Sequence, residues 1–220
     1  MPSTLVITGT DTGVGKTFVG CALARALCAR GVRVLAVKPI ETGCPGPPTV
    51  GEDGAQLAAA TGQRDPAHAL VRLPAPLAPA EAADRAGRRL DLDALAGRVR
   101  ALAAGADVAL VEGAGGLLTP LTWERDLTDL ARALDARVLV IAADRLGAIN
   151  QTRLVLGALT VAALPLAGVV LSAPAERDGS TGANAAAIAR CSPGTVVVAV
   201  PRASAPGDLA APLAPLIDRL

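Results

Sequence analysis

Aromatic side chains are almost absent from this chain. Of its 220 residues none is tyrosine, and Phe18 and Trp123 are the only aromatics. A core must therefore be built from Ala, Val, Leu and Ile, a composition suited to buried parallel strands covered by small-residue helices. The same scarcity removes the aromatic platform on which single-stranded nucleic acid stacks. A formal net charge of +1, with no basic run, gives no electrostatic case for a nucleic-acid partner either. Histidine occurs once. His68 lies in a stretch with no serine or carboxylate arrangement around it and reads as a solvated loop residue without a catalytic role. The four cysteines form no C-x-x-C pair and show no metal-ligand spacing. Cys21 and Cys28, seven apart on a predicted helix, are expected to face the core as small hydrophobes, and a reducing cytoplasm is the simplest compartment. No basic segment precedes an apolar one at the amino terminus, so it does not read as a signal peptide. The longest apolar runs, such as Val138 to Ala143, have the length of a strand and cannot span a bilayer.

What is present is alternation. Strand-like runs at Thr4–Thr8, Val32–Lys38, Asp107–Glu112, Arg137–Ala143, Leu166–Ser172 and Thr195–Val200 are separated by helical segments. Those helices are expected over Phe18–Ala29, after Asp53, over Glu81–Gly87, Leu92–Ala104, Leu127–Leu134, Gly147–Ala163 and Gly182–Arg190, and near Leu209–Leu220. The stretches Pro39–Gly51 and Arg72–Pro79, rich in proline or glycine, read as loops. The pattern predicts an α/β fold with a mostly parallel central sheet and helices on both faces, a three-layer arrangement, in one domain spanning residues 1–220. In such sheets ligands collect at the carboxyl ends of the strands.

The segment Gly9-Thr10-Asp11-Thr12-Gly13-Val14-Gly15-Lys16-Thr17 joins the first strand to the first helix and has the character of a phosphate-binding loop, so the three-layer fold is expected to be P-loop NTPase-like. Its backbone N–H groups would face phosphate oxygens. Lys16 adds a cation toward the β- and γ-phosphates, and Thr17 offers a hydroxyl to Mg²⁺. Five residues rather than four separate Gly9 from Gly15, so strict spacing puts Thr10 where the first glycine belongs. Lys38 closes the second strand just before Pro39-Ile40-Glu41-Thr42-Gly43. It is either aimed at the same crevice or is a surface lysine leaving a strand end. Glu112 ends a buried strand and is followed by Gly113-Ala114-Gly115-Gly116, a position from which a carboxylate can hold Mg²⁺. Asp53 reads locally as a helix N-cap, with a metal carboxylate as the functional alternative. Arg145 to Asn150 opens a helix whose free N–H groups would attract an anion, or is an ordinary turn. Trp123, beside Glu124-Arg125-Asp126, reads as a partly covered loop aromatic.

Taken together, these motifs resemble the dethiobiotin synthetase family. The resemblance rests on Gly9–Thr17, Lys38–Gly43, Val111–Leu118 and Leu146–Asn150 in that order, with the proline-rich Pro74–Pro79 between them, and it thins after Ser172. It implies a ligase that closes the ureido ring of dethiobiotin from 7,8-diaminononanoate, CO₂ and a nucleoside triphosphate such as ATP. The route is a carbamate and then a carbamic–phosphoric anhydride. By position, the resemblance makes Lys38, Lys16 and Thr12 catalytic and Thr17, Asp53 and Glu112 the Mg²⁺ ligands. It places the nucleotide on Gly13, Val14, Gly15, Lys16, Thr17, Phe18, Asp53, Glu112, Gly113, Ala114, Gly115, Pro201, Arg202 and Ala203. Thr42 falls near the carbamate. Gly147, Ala148, Ile149 and Asn150 match a helix start that grips the substrate's distal carboxylate across a homodimer interface.

Two positions depart from the family pattern. Gly13 stands where some members carry Glu, and Ser172 stands where adenine-reading members carry Asn. A hydroxyl does not reproduce the paired donor and acceptor of an amide, which opens the question of nucleotide preference. The main rival reading is a switch-type ATPase of the partitioning and septum-positioning kind, acting through a partner or membrane. Such proteins carry an extra lysine early in the loop, where this chain has Thr10-Asp11-Thr12, and commonly end in a basic amphipathic helix, whereas Leu209–Leu220 has only Asp218 and Arg219 as charges. A second rival is a related amide ligase, usually paired with a glutamine-hydrolysing domain for which these 220 residues have no room.

Overall fold

The computed structural model describes residues 2–220. Six strands form one wholly parallel sheet: β1 (Ser3–Gly9), β2 (Val34–Val37), β5 (Val108–Gly116), β6 (Arg137–Ala143), β7 (Leu166–Ser172) and β8 (Val197–Val200). They lie in the order β2-β5-β1-β6-β7-β8. The sequence order reverses between β5 and β6, which flank β1, so the crevice above β1 is the place where such a sheet takes ligands.

Alternating side chains divide each strand between two cores. Val6, Val111 and Val140 face one layer, where they meet Leu95 and Val99 of α4 (Leu92–Leu102), Leu130 of α5 (Leu127–Ala133), Leu159 of α6 (Ala148–Val161) and Ile188 of α7 (Asn184–Cys191). Ile7, Leu110 and Ile141 face the other layer, against Leu23 and Leu27 of α1 (Lys16–Ala29), Leu57 of α2 (Asp53–Thr61) and Leu213 and Leu216 of α8 (Ala210–Ile217). With aromatics missing, Leu, Ile, Val and Ala fill both layers, and each strand's period of two is satisfied on both faces. Among the described residues no helix is long and apolar enough to cross a membrane.

Five expectations need correction. The loop expected over 39–51 contains a short strand, β3 (Ile40–Thr42), and the proline-rich stretch Arg72–Pro79 overlaps another, β4 (Val71–Leu73). The two pair in parallel beside α3 (Pro79–Arg85). The strand expected to stop at Glu112 runs on to Gly116, with an irregularity in its pairing between Ile7 and Gly9. Helix α7 begins at Asn184 rather than Gly182, because Gly182 takes a left-handed φ of 96° that a right-handed helix does not admit; its N–H donates to the buried Asp144 carboxylate at 2.8 Å. Cys28 is half-buried, so only Cys21 of that pair belongs to the core.

Candidate active site

The loop between β1 and α1 curls back on its own start. A Cβ at Gly9 would lie 2.8 Å from both the Asp11 carbonyl oxygen and Val14 Cγ2, so no larger residue fits there. Gly9 therefore does the work of the loop's first glycine, which accounts for the irregular spacing; Thr10 instead donates its N–H to Ile141 O at 2.9 Å and belongs to the sheet edge. Lys16 is buried and its ammonium donates to the Asp11 carbonyl at 3.0 Å.

Beside the loop, three strand and helix ends bring charge together. Lys38 leaves β2, Glu112 lies on β5 and Asp53 is the first residue of α2. The Lys38 ammonium donates to Glu112 Oε1 at 2.6 Å, to Asp53 Oδ2 at 2.7 Å and to the Gly113 carbonyl at 3.3 Å. Thr17 Oγ1 donates to the same Glu112 Oε1 at 2.9 Å. Lys38, 4% exposed, is thus no surface lysine. Nor is Asp53 an N-cap: Glu52 occupies the cap position, and the Asp53 and Gly54 N–H groups are accepted by the buried Glu41 carboxylate at 2.6 and 3.0 Å. Glu41 is a residue that the sequence reading passed over, and its partners are remote from it in sequence.

Electrostatics follow from this crowding. Burial works against the charge on Lys38, but the Glu112 and Asp53 carboxylates beside it prevail and hold its ammonium above the ordinary lysine value. Burial raises Asp53, and the Lys38 charge and hydrogen bond outweigh it, leaving the carboxyl below its ordinary range. For Glu112 burial is the stronger influence and Lys38 only partly offsets it, so its carboxyl is pushed up. Burial and then the like charge of Lys38 pull Lys16 down. Glu112 is therefore the carboxylate that most needs a cation beside it, and its Oε2 is buried without a hydrogen-bond partner.

Two clefts open above these residues. One of about 400 Å³ is lined by Lys16, Thr17, Lys38, Thr42, Asp53 and Glu112, with Ala114 and Gly115 on its wall. The other, about 570 Å³, is bounded by Val14, Ala143, Ser172, Pro174, Pro201, Arg202 and Ala203. Thr12, Gly13, Gly15 and Phe18 line both. Ser172 reaches the loop so closely that its Oγ would stand 3.0 Å from a Cβ on Gly15. Its carbonyl already accepts the Asp144 N–H at 2.9 Å, and the next residue donates its N–H to Val200 O at 3.1 Å. A further hollow of about 830 Å³ lies beside Trp123 and Arg125 and holds none of the predicted site residues.

Gly147, Ala148, Ile149 and Asn150 line neither cleft; Gly147 and Asn150 are exposed at the start of α6 and Ala148 is buried beneath them. Arg145, just before them, borders the larger cleft and lies 3.8 Å from Asp11. His68 is half-buried rather than solvated, with its Nδ1 shielded and unpartnered. Trp123 is 61% exposed and donates its Nε1–H to Asp84 at 2.7 Å.

The family described as AAA domain matches residues 3–207. The chain is 46% identical over 190 residues to the ATP-dependent dethiobiotin synthetase BioD of Anaeromyxobacter dehalogenans strain 2CP-C, covering 84% of each chain. It is 50% identical over 177 residues to the enzyme of the same name from Frankia casuarinae, covering 79% of this chain and 73% of that one. The chain belongs to the dethiobiotin synthetase family. Dethiobiotin synthetases are ATP-dependent by name, in keeping with a nucleotide loop at the head of the sheet. Among solved structures, the septum site-determining protein MinD of Pyrococcus horikoshii, complexed with Mg-ADP, superposes with a TM-score of 0.60 at 18% identity, covering 100% of this chain and 96% of that one. That likeness shows a shared P-loop fold only. The switch-ATPase reading thus has the architecture in its favour, but the sequence kinship lies with the dethiobiotin synthetases.

Proposed function

We propose that this chain, acting as one domain, is an ATP-dependent ligase that closes the ureido ring of dethiobiotin in the penultimate step of biotin biosynthesis. Its substrates are 7,8-diaminononanoate, CO₂ and a nucleoside triphosphate. The observation that carries the reading is the convergence of Lys16, Thr17, Lys38, Asp53 and Glu112 on one cleft beside the phosphate loop. Joining a carbamate to a triphosphate brings two anions together, and cations on both sides meet that need better than a strong base would.

In the proposed reaction one amine of the diamine captures CO₂ as a carbamate and releases a proton. A carbamate oxygen then bonds to the γ-phosphorus as the bond to the bridging oxygen breaks, and the nucleoside diphosphate leaves. The second amine attacks the carbamoyl carbon, closes the ring, loses a proton and expels phosphate. Lys16 holds the β- and γ-phosphate oxygens from the loop side. Lys38 approaches from β2 and neutralises the carbamate, while Thr12 and Thr42 border the space between them. Backbone N–H groups from Gly13 to Phe18 orient the phosphates. The ring of Phe18 and the segment Pro201-Arg202-Ala203 border the base, where Ser172 offers only a hydroxyl.

The donor set fits Mg²⁺. Thr17 Oγ, Asp53 and Glu112 supply hard oxygen donors, and the unpartnered Glu112 Oε2 is the kind of buried atom a cation would satisfy. When bound there, Mg²⁺ would screen triphosphate charge. Gly113, Ala114 and Gly115 let the adjoining backbone come close to the phosphates.

Two copies pair in the proposed assembly, so that Gly147 to Asn150 of one protomer receive the distal carboxylate of the diamine held by the other. Their position outside both clefts of their own chain, together with the exposure of Leu118, Leu146 and Leu154, supports this arrangement. The enzyme works in the cytoplasm on small molecules, without nucleic acid or membrane. Isotope-labelled bicarbonate tests the reading: with MgATP and the diamine, the label must appear in the ureido carbon of dethiobiotin by mass spectrometry. Hydrolysis of ATP without labelled product would refute it.

A further inference from the structure

Glu41 is 7% exposed, yet it is a carboxylate in the wall of the cleft with no cation bonded to it. Its two oxygens accept the first two N–H groups of α2, from Asp53 at 2.6 Å and Gly54 at 3.0 Å. Helix α2 has no side-chain cap of its own, because the Glu52 carboxylate at its cap position is drawn to Arg72 by contacts of 2.7 and 2.6 Å. A serine or asparagine at the cap position would satisfy an amide of this first turn without burying a charge. Here the acceptor comes instead from β3, three residues beyond Lys38 and next to Thr42.

The consequence is geometric. Asp53 is held at both ends by one short segment: Lys38 grips its carboxylate and Glu41 grips its backbone amide. Pairing of Ile40–Thr42 with Val71–Leu73 fixes that segment in turn.

We propose that Glu41 is a positioning residue that sets the orientation of α2 and so aims Asp53 at the cation site. The inference rests on the reading of the cleft given above. The test uses Glu41→Ala and the nearly isosteric Glu41→Gln in the full chain, with thermal melts to establish that each is folded at the assay temperature. Loss of both charged acceptors should raise the Mg²⁺ concentration for half-maximal turnover roughly tenfold in Glu41→Ala, more than it lowers kcat. Hydrogen exchange at the Asp53 and Gly54 amides of the nucleotide-free protein should quicken. Glu41→Gln, which keeps one accepting oxygen, should recover part of both effects, and it carries the test if the alanine variant does not fold.

Faster exchange with an unchanged Mg²⁺ requirement would reduce Glu41 to a helix cap and overturn the proposal, as would unchanged exchange. If the unaltered protein turns over no diamine, the parent reading fails separately. Mn²⁺ binding to the nucleotide-free protein, read by electron paramagnetic resonance, then decides the matter: weaker binding in the variants upholds the positioning role, and equal binding overturns it.

Discussion

Thr17 and Glu112 stand 95 residues apart in the chain and share a 2.9 Å hydrogen bond. The contact ties the first turn of α1 to β5, the neighbour of β1 in the sheet, so the phosphate loop and the carboxylate behind it are joined directly. Lys38 donates to the same Glu112 oxygen from β2, at 2.6 Å. The cleft's cation, hydroxyl and carboxylates are thus one network, and altering one member exposes the others.

Lys38→Met should therefore cost stability as well as activity. It leaves Glu112 buried without its cation, and breaking a buried pair from one side costs about 3 kcal/mol. Adding Glu112→Gln, which keeps a partner for Thr17, should return much of the lost melting temperature without returning turnover. A double-mutant cycle by thermal melts checks this; equal and additive losses would argue that the pair is not coupled.

Lys16 makes nucleotide binding sensitive to alkali. Its ammonium is held below the ordinary lysine value of 10.5, first by burial and then by Lys38. A bound triphosphate favours the charged form, so the complex binds the proton more tightly than the empty site does. Affinity should fall as pH rises through the lowered value, and binding in that range should take up protons. Calorimetry in buffers of different ionisation enthalpy reads the uptake directly; proton release would contradict the assignment.

Gly54→Ala should destabilise the fold more than a helical Gly-to-Ala change ordinarily would. A methyl at this position runs into the Ala69 amide nitrogen, which is backbone and cannot swing aside. Such overpacking costs about 1–3 kcal/mol, against a gain of up to about 1 kcal/mol from helix propensity. A lower denaturation midpoint in urea is the expected result.

Thiol chemistry separates two of the cysteines. Burial, with the Glu112 charge adding to it, pushes Cys21 up to about 12, whereas Cys191 is exposed. An alkylating reagent at neutral pH should label Cys191 in the native protein and reach Cys21 only after unfolding. Because the folded value lies above the ordinary 9.0, Cys21 contributes stability that is intact below that value and declines as pH rises toward about 12.

The parts of this site that were legible in the sequence are those built from contiguous residues. Gly9–Thr17 lies between a β-branched strand and an apolar helix, so strand, loop and helix could be read together. Lys38 and Glu112 were visible as charges ending apolar strands, since such runs seldom carry one without purpose. Pairing across distance was hidden. The three-residue strands β3 and β4 are too short to show a period and lie in stretches whose prolines signal loops. Asp53 looked like an N-cap because aspartate before a helix usually is one; nothing local reveals that Glu41 already holds those amides. Cys28 repeats the spacing of Cys21 at seven, but it lies near the end of α1, two residues before its C-cap, and is only half-buried there.

The most direct test of the central claim is phosphate release from MgATP and bicarbonate, with and without 7,8-diaminononanoate, repeated with CTP and GTP. The account predicts turnover that requires the diamine, disappears in Lys38→Ala, and discriminates weakly among bases because Ser172, Pro174 and Pro201, which line the larger cleft, offer no side-chain amide to read them. Release that proceeds equally without the diamine for every triphosphate would contradict the synthetase assignment.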